Sequence, residues 1–414
     1  MVATTADELE HPHTPRSFRA ANAALRPVAT QVASLHPESI VQRSLARTRL
    51  TDFGGDSWRA PLDVLTRALE TEARLHPIGR VSARQQLIGL LTTRLRVHDL
   101  LTRHPEILET PVVAPVVILG MPRTGTTALQ RLLAREPAFR SLPLWEAMTP
   151  LPPGDAADRA AGAVAGARVK RCEQSLRLIH WAGPQMLAMH EMHATEADEE
   201  IWLLAVDFAT MLFEASYHVP SFRDWYLRTD LTGGYEYLRT LLQILQWYRP
   251  AERWLLKSPQ HLEQLGPLLR AFPDATIVQT HRDPVTVTAS FCSMGAYGRR
   301  MNTDHISVRA IGEYWSARIE GMLRRSIDDR VADDPRYLDV RFDDFVADPI
   351  GLARAVCEHA GVGVSPTGER QMLAYLDANP RGKHGRHAYR LEEFGLDETE
   401  RRDALRFYSD RFGV

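Results

Sequence analysis

Lysine is almost missing. Lys170, Lys257 and Lys383 are the only three in 414 residues, so 47 of the 50 basic side chains are arginines. That bias reads as the mark of a GC-rich genome rather than of a function, and it draws attention to each lysine that remains. Cysteine is as rare. Cys172, Cys292 and Cys357 lie far apart and form no CxxC pair, which argues against a disulfide framework or zinc knuckle and fits three buried thiols in a reducing compartment. No run of about 18 to 20 apolar residues occurs, so no membrane span is expected. The opening MVATTADELEHPHTPR has no basic start followed by an apolar stretch, so a secretory signal is not expected and a cytoplasmic location is. Charge of one sign is absent too: 50 basic against 52 acidic residues leave a formal net charge of -2, and nothing pulls the chain as a whole onto nucleic acid.

What is present is the composition of an ordinary globular protein, 44% apolar and 25% charged, long enough for a large domain with an accessory lobe. From Arg16 to about Pro105, apolar residues recur at three-to-four spacing, which predicts helices. At Pro111 the pattern changes to VVAPVVILG, a β-branched run suited to a strand buried on both faces. A glycine-rich turn and the helical ALQRLLARE follow. Further strands are expected at ERWLLKSP, ATIVQTHRDP and RYLDVRFDDFV, alternating with helices. The expected fold is therefore α/β, a P-loop-like parallel sheet flanked by helices. A helical N-terminal lobe would occupy residues 1–110 and the α/β domain 111–414, with a helical insertion at about 151–250 that covers a site.

The loop after the first strand carries the chemistry. Gly120 and Gly125 stand at P-loop spacing, but Thr126 occupies the position where GxxxxGK[ST] has lysine, with Thr127 after it. Without that lysine, phosphoryl transfer from ATP becomes doubtful, while backbone N–H groups at a helix N-terminus still cradle an anion. A sulfonate carries less charge than a phosphoryl group and can be transferred without a metal. Arg123 adds a fixed cation with a fork of donors. A lone glycine-rich turn after a strand is as often only a turn; Arg123 and the threonine pair favour the cradle.

The loop VILGMPRTGTTALQRLL, the strand WLLKSP, the segment VQTHRDPVTVTAS and the later NPRGKHGRHAYRLEEFGL together resemble the sulfotransferase superfamily, in particular its large bacterial group. The resemblance runs from about Pro115 to Leu396. It implies an enzyme that moves the sulfuryl group of 3′-phosphoadenosine 5′-phosphosulfate to a hydroxyl or amine of a small-molecule, lipid or sugar acceptor, without a metal. By the same resemblance, Arg123, Thr124, Gly125, Thr126 and Thr127 would hold the 5′-phosphosulfate, and Arg282 and Ser290 the 3′-phosphate. Lys257 would bridge the leaving phosphate, and Arg381, Lys383 and Gly385 would close over the nucleotide.

In-line attack on sulfur also needs a base, and family members use a histidine or a glutamate. Glu146 in PLWEAM stands where glutamate-using members place theirs, although a helix-N-terminal acid in contact with solvent is the competing reading. His190, in HEMHATEADEE with Glu191, His193 and Glu196, ranks equal with it. The HxxH spacing is a weak metal signal, and much of this acidic run reads as a solvated face. His261 reads as a satisfied polar contact and ranks third. A P-loop kinase or NTPase, and a non-catalytic nucleotide-binding protein of the same fold, are the alternatives. The acceptor and a homo-oligomeric state stay open.

Overall fold

In the computed structural model, residues 2–3, 6–11, 14–152, 165–183, 192–250, 252–380, 387–388 and 390–414 are described. Five strands form one sheet: β1 (Val116–Gly120), β2 (Phe139–Ser141), β3 (Arg253–Lys257), β4 (Thr276–His281) and β5 (Tyr337–Arg341). Their spatial order is β2-β3-β1-β4-β5, and every neighbouring pair is parallel. Four of these strands lie where the apolar runs predict them. The fifth, β2, has three residues, too few for any periodicity to register, and it exists through its pairing with Arg253–Leu255.

Alternation along β1 explains why the strand is apolar throughout. Val116 and Ile118 enter one core with Leu129, Leu132, Leu133, Leu255 and Val278. Val117 and Leu119 enter the other, with Leu256 and Ile277. Both faces are buried, so no position on the strand tolerates a polar side chain. Helix α5 (Thr126–Leu133) supplies the three leucines to the first core.

The second core joins the sheet to three N-terminal helices, α2 (Pro37–Thr48), α3 (Arg59–Thr71) and α4 (Pro77–Arg103), while a preceding helix, α1 (Arg16–Leu25), packs against α4. Leu87, Leu91 and Leu95 of α4 pack there at helical spacing. Arg94 on the same helix is buried against Asp207 at 2.5 Å. Within the region expected to be a helical insertion, the described residues include α6 (Ala165–Ala182) and α7 (Thr232–Tyr248). The helix expected over HLEQLGPLLRAF is broken: residues Pro259–Glu263 make a tight 3₁₀ turn before Leu265–Ala271 resumes as α-helix. Among the described residues, no helix is long and apolar enough to cross a membrane.

Burial also sets a pH dependence. His76, His98, His218 and His281 are all held below the ordinary histidine value, with loss of solvent as the main cause in each. The unfolded chain therefore takes up protons where the folded chain does not. Stability from this source is full above about pH 6.5 and is lost as acid reaches the lower folded values. The melting temperature should fall between about pH 7.5 and about pH 5.5; a flat or rising profile over that range would mean that these imidazoles are not held neutral.

Candidate active site

The carboxyl ends of β1, β3 and β4 meet at one edge of the sheet, where open α/β sheets place their ligands. At the end of β1, Gly120 leaves no space for a side chain: a Cβ there would lie 2.1 Å from Thr280 Oγ1 and 2.9 Å from Thr124 Oγ1. Gly125, at the N-cap of α5, has φ 89°. Arg123 between them takes φ 73°, a conformation a non-glycine residue adopts only where its surroundings hold it. Two contacts do so. Thr124 Oγ1 donates to Met121 O at 2.6 Å and lies 2.6 Å from Thr280 Oγ1 on β4. Arg282 donates from Nη1 to the Arg123 carbonyl at 2.7 Å. The loop is a turn fixed from the neighbouring strand, and α5 starts directly after it.

Arg282 follows the last residue of β4, and its guanidinium lies 4.1 Å from the centre of the Phe342 ring. The next residue, Asp283, caps helix α8 (Pro284–Arg300), accepting from Val285 N at 3.0 Å. Ser290 lies two turns into that helix. Arg123, Arg282 and Ser290 line one cleft of about 510 Å³, together with Arg390, Glu398 and Arg402. The pair expected from an eight-residue spacing therefore shares a cavity with the loop.

Lys257 ends β3, opposite Ile118 of β1. Its side chain is only 3% exposed, and Nζ lies 3.3 Å from Thr127 Oγ1 and 2.5 Å from Glu199 Oε1. So the loop that lacks its own lysine receives one from the adjacent strand. The acidic run that supplies Glu199 is not a solvated face. Glu196 is bidentate to Arg135 at 3.0 and 2.8 Å, and Asp198 accepts from Glu199 N at 2.8 Å. Glu200 is fully buried, accepting from Lys257 N at 2.9 Å and from His261 Nε2 at 2.5 Å. On its other side, His261 Nδ1 faces the Tyr235 hydroxyl at 2.8 Å, and that hydroxyl accepts from Gln260. With Tyr235 as donor to Nδ1, Nε2 is the ring nitrogen that donates to Glu200. Glu196 and Glu199 keep partial exposure, 30% and 19%, and of the two it is Glu199 that meets the lysine.

The profile described as the sulfotransferase family matches residues 115–366, well over half of the chain. This chain belongs to the sulfotransferase family. The crystal structure of sulfotransferase STF9 from Mycobacterium avium superposes with a TM-score of 0.81 at 28% identity, covering 91% of this chain and 96% of that one. Sulfotransferase STF1 from Mycobacterium tuberculosis gives 0.75 at 30% identity, with 89% and 97% covered. A curated relative, the omega-hydroxy-beta-dihydromenaquinone-9 sulfotransferase Stf3 of Mycobacterium tuberculosis, is 23% identical over 273 residues, 60% of this chain. The match spans about 63% of the length of that relative.

Within this sulfotransferase, the two carboxylates nearest in kind lie in different surroundings. Glu146 is buried, held by Arg140 through both oxygens at 3.1 Å and by Arg249 at 3.0 Å. Arg140 is anchored in turn by the Leu245 carbonyl and the Trp254 ring, and burial lowers its pKa to about 10. Both Glu146 oxygens are thus engaged by guanidiniums in a buried cluster. The competing reading of Glu146 as an acid in contact with solvent fails, since the residue is buried. His261 is sealed inside the Glu200–Tyr235 network and reaches no open space. His190, Glu191, Arg381, Lys383 and Gly385 lie outside the described residues. Glu199, which sequence reasoning passed over, is the carboxylate beside Lys257. The sequence offered only its place in a run of four acids, EADEE, which does not single it out.

Proposed function

We propose that this sulfotransferase uses 3′-phosphoadenosine 5′-phosphosulfate and transfers its sulfuryl group to a hydroxyl or amine of a small-molecule, lipid or sugar acceptor. The observation that carries the reading is the meeting of Lys257 with Glu199 and Thr127 at the mouth of the glycine loop. It puts a cation and a proton acceptor beside an anion cradle from which the kinase lysine has gone.

The loop N–H groups and Arg123 would bind the phosphosulfate end, and Arg282 with Ser290 the 3′-phosphate. Lys257 would leave Glu199 for the donor and stabilise charge on the phosphate oxygen that departs. Glu199, released from its ion pair, would take the acceptor proton. The bond formed is acceptor oxygen to sulfur; the bond broken is sulfur to the 5′-phosphate oxygen, which leaves with the electron pair. No metal is required for this balance, since Lys257 and the loop carry the neutralising charge. The curated relative's name places a hydroxylated menaquinone as its acceptor, which makes a lipid alcohol a natural first acceptor to test.

Adenosine 3′,5′-bisphosphate, added at about a hundred times its dissociation constant, should stabilise the fold by about 2.7 kcal/mol, and ATP with magnesium should do far less. Thermal shift measures both. Equal or greater stabilisation by magnesium ATP would favour a P-loop kinase or NTPase, and tight bisphosphate binding without turnover of any acceptor would favour a non-catalytic relative.

A further inference from the structure

The cleft that holds Arg123, Arg282 and Ser290 has a wall from outside the matched region. Helix α9 (Glu398–Phe412) is the last element of the chain, and two of its residues, Glu398 and Arg402, face the cleft. The helix is locked to β4, the strand that ends one residue before Arg282. His281, immediately before that arginine, lies with Nδ1 2.7 Å from the Tyr408 hydroxyl and stacks on Phe412 at 3.9 Å between ring centres. Its Nε2 lies 2.9 Å from Asp339. The position of Arg402 relative to Arg282 is therefore fixed by a packed joint rather than by a loose tail.

Arg402 is half exposed and holds two carboxylates of low value to it. Nη2 lies 2.7 Å from Glu398 one turn back, and Nη1 lies 3.6 Å from Asp283, the cap of α8. An exposed i,i+4 pair is weak, so a dianion in the cleft can take the guanidinium with little loss. Two donors at one end of the side chain suit a phosphate.

We propose that Arg402 is a second arginine for the 3′-phosphate of the nucleotide, reaching it from the C-terminal helix opposite Arg282 and setting the preference for a 3′-phosphorylated nucleotide over one with a free 3′-hydroxyl. The assignment rests on the donor reading above. Titration calorimetry with adenosine 3′,5′-bisphosphate and with AMP tests it on the full chain. Arg402→Ala should weaken bisphosphate binding by about 10- to 100-fold, the worth of a charge-assisted hydrogen bond, and leave AMP binding within about twofold. Arg402→Lys, which keeps the charge and loses the fork, should recover part of the loss. The exposed position means that the melting temperature should stay near wild type. Equal losses for both nucleotides, or none, would overturn the assignment. Wild-type protein that fails to prefer the bisphosphate would remove the donor reading and the Arg402 role together. Wild-type preference that survives in Arg402→Ala and is lost in Arg282→Ala would remove the Arg402 role alone.

Discussion

Replacing Glu199 by glutamine is expected to lower turnover by about 10²- to 10⁴-fold, the usual worth of a general base, with the fold intact. The amide oxygen can still accept from Lys257 Nζ, so the melting temperature should change little, and bisphosphate affinity should not weaken. Glu146→Gln is the internal contrast. Glutamine there leaves the buried Arg140 without its charged partner, and breaking one side of a buried pair costs about 3–5 kcal/mol. Activity per folded molecule should nevertheless survive. Steady-state turnover at saturating donor, paired with melting curves for both variants, separates the two carboxylates. Should Glu146→Gln lose turnover at wild-type stability while Glu199→Gln keeps it, the base is Glu146 and Glu199 is a structural partner of the lysine.

Lys257→Met should lower turnover by about 10²- to 10³-fold, comparable to loss of one preorganised donor at a site of developing charge. The methionine chain fills the same narrow space, so packing is largely kept. Bisphosphate affinity should fall by a smaller factor, because charge on the departing oxygen grows only as the bond to sulfur breaks and the ammonium is worth most at that point. Comparing the two factors is the measurement: equal losses would make Lys257 a ground-state anchor with no share in the chemical step.

Much of this site was legible because its signals are local. The run VVILG, which ends in Gly120, and Gly125 after it encode a strand, a tight loop and a helix start between Val116 and Thr126, each dictated by short-range sterics. Lys257 stood out through the scarcity of its kind, and Arg282 with Ser290 through a helical offset. The edge strand β2 left no trace, since three residues carry no period. Glu199 was hidden for a different reason. Exposure cannot be read from EADEE, where four acids look alike until Arg135, the Asp198 turn and His261 engage the other three. The surroundings of Glu146 were hidden too: its partners, Arg140 and Arg249, are brought together by the sheet and by the end of α7, and helical position alone does not show them.

An ordinary P-loop carries its cation within a few residues of its glycines, so the element is chemically complete as soon as one turn has formed. Here the cation arrives from 130 residues away, through the pairing of β3 with β1. A slip of one residue in that pairing would turn the ammonium to the opposite face of the sheet. Competence is thus a late product of folding: the loop and its helix can be native in outline while the site remains inert, and only closure of a long-range contact, slow by its topology, makes the molecule an enzyme.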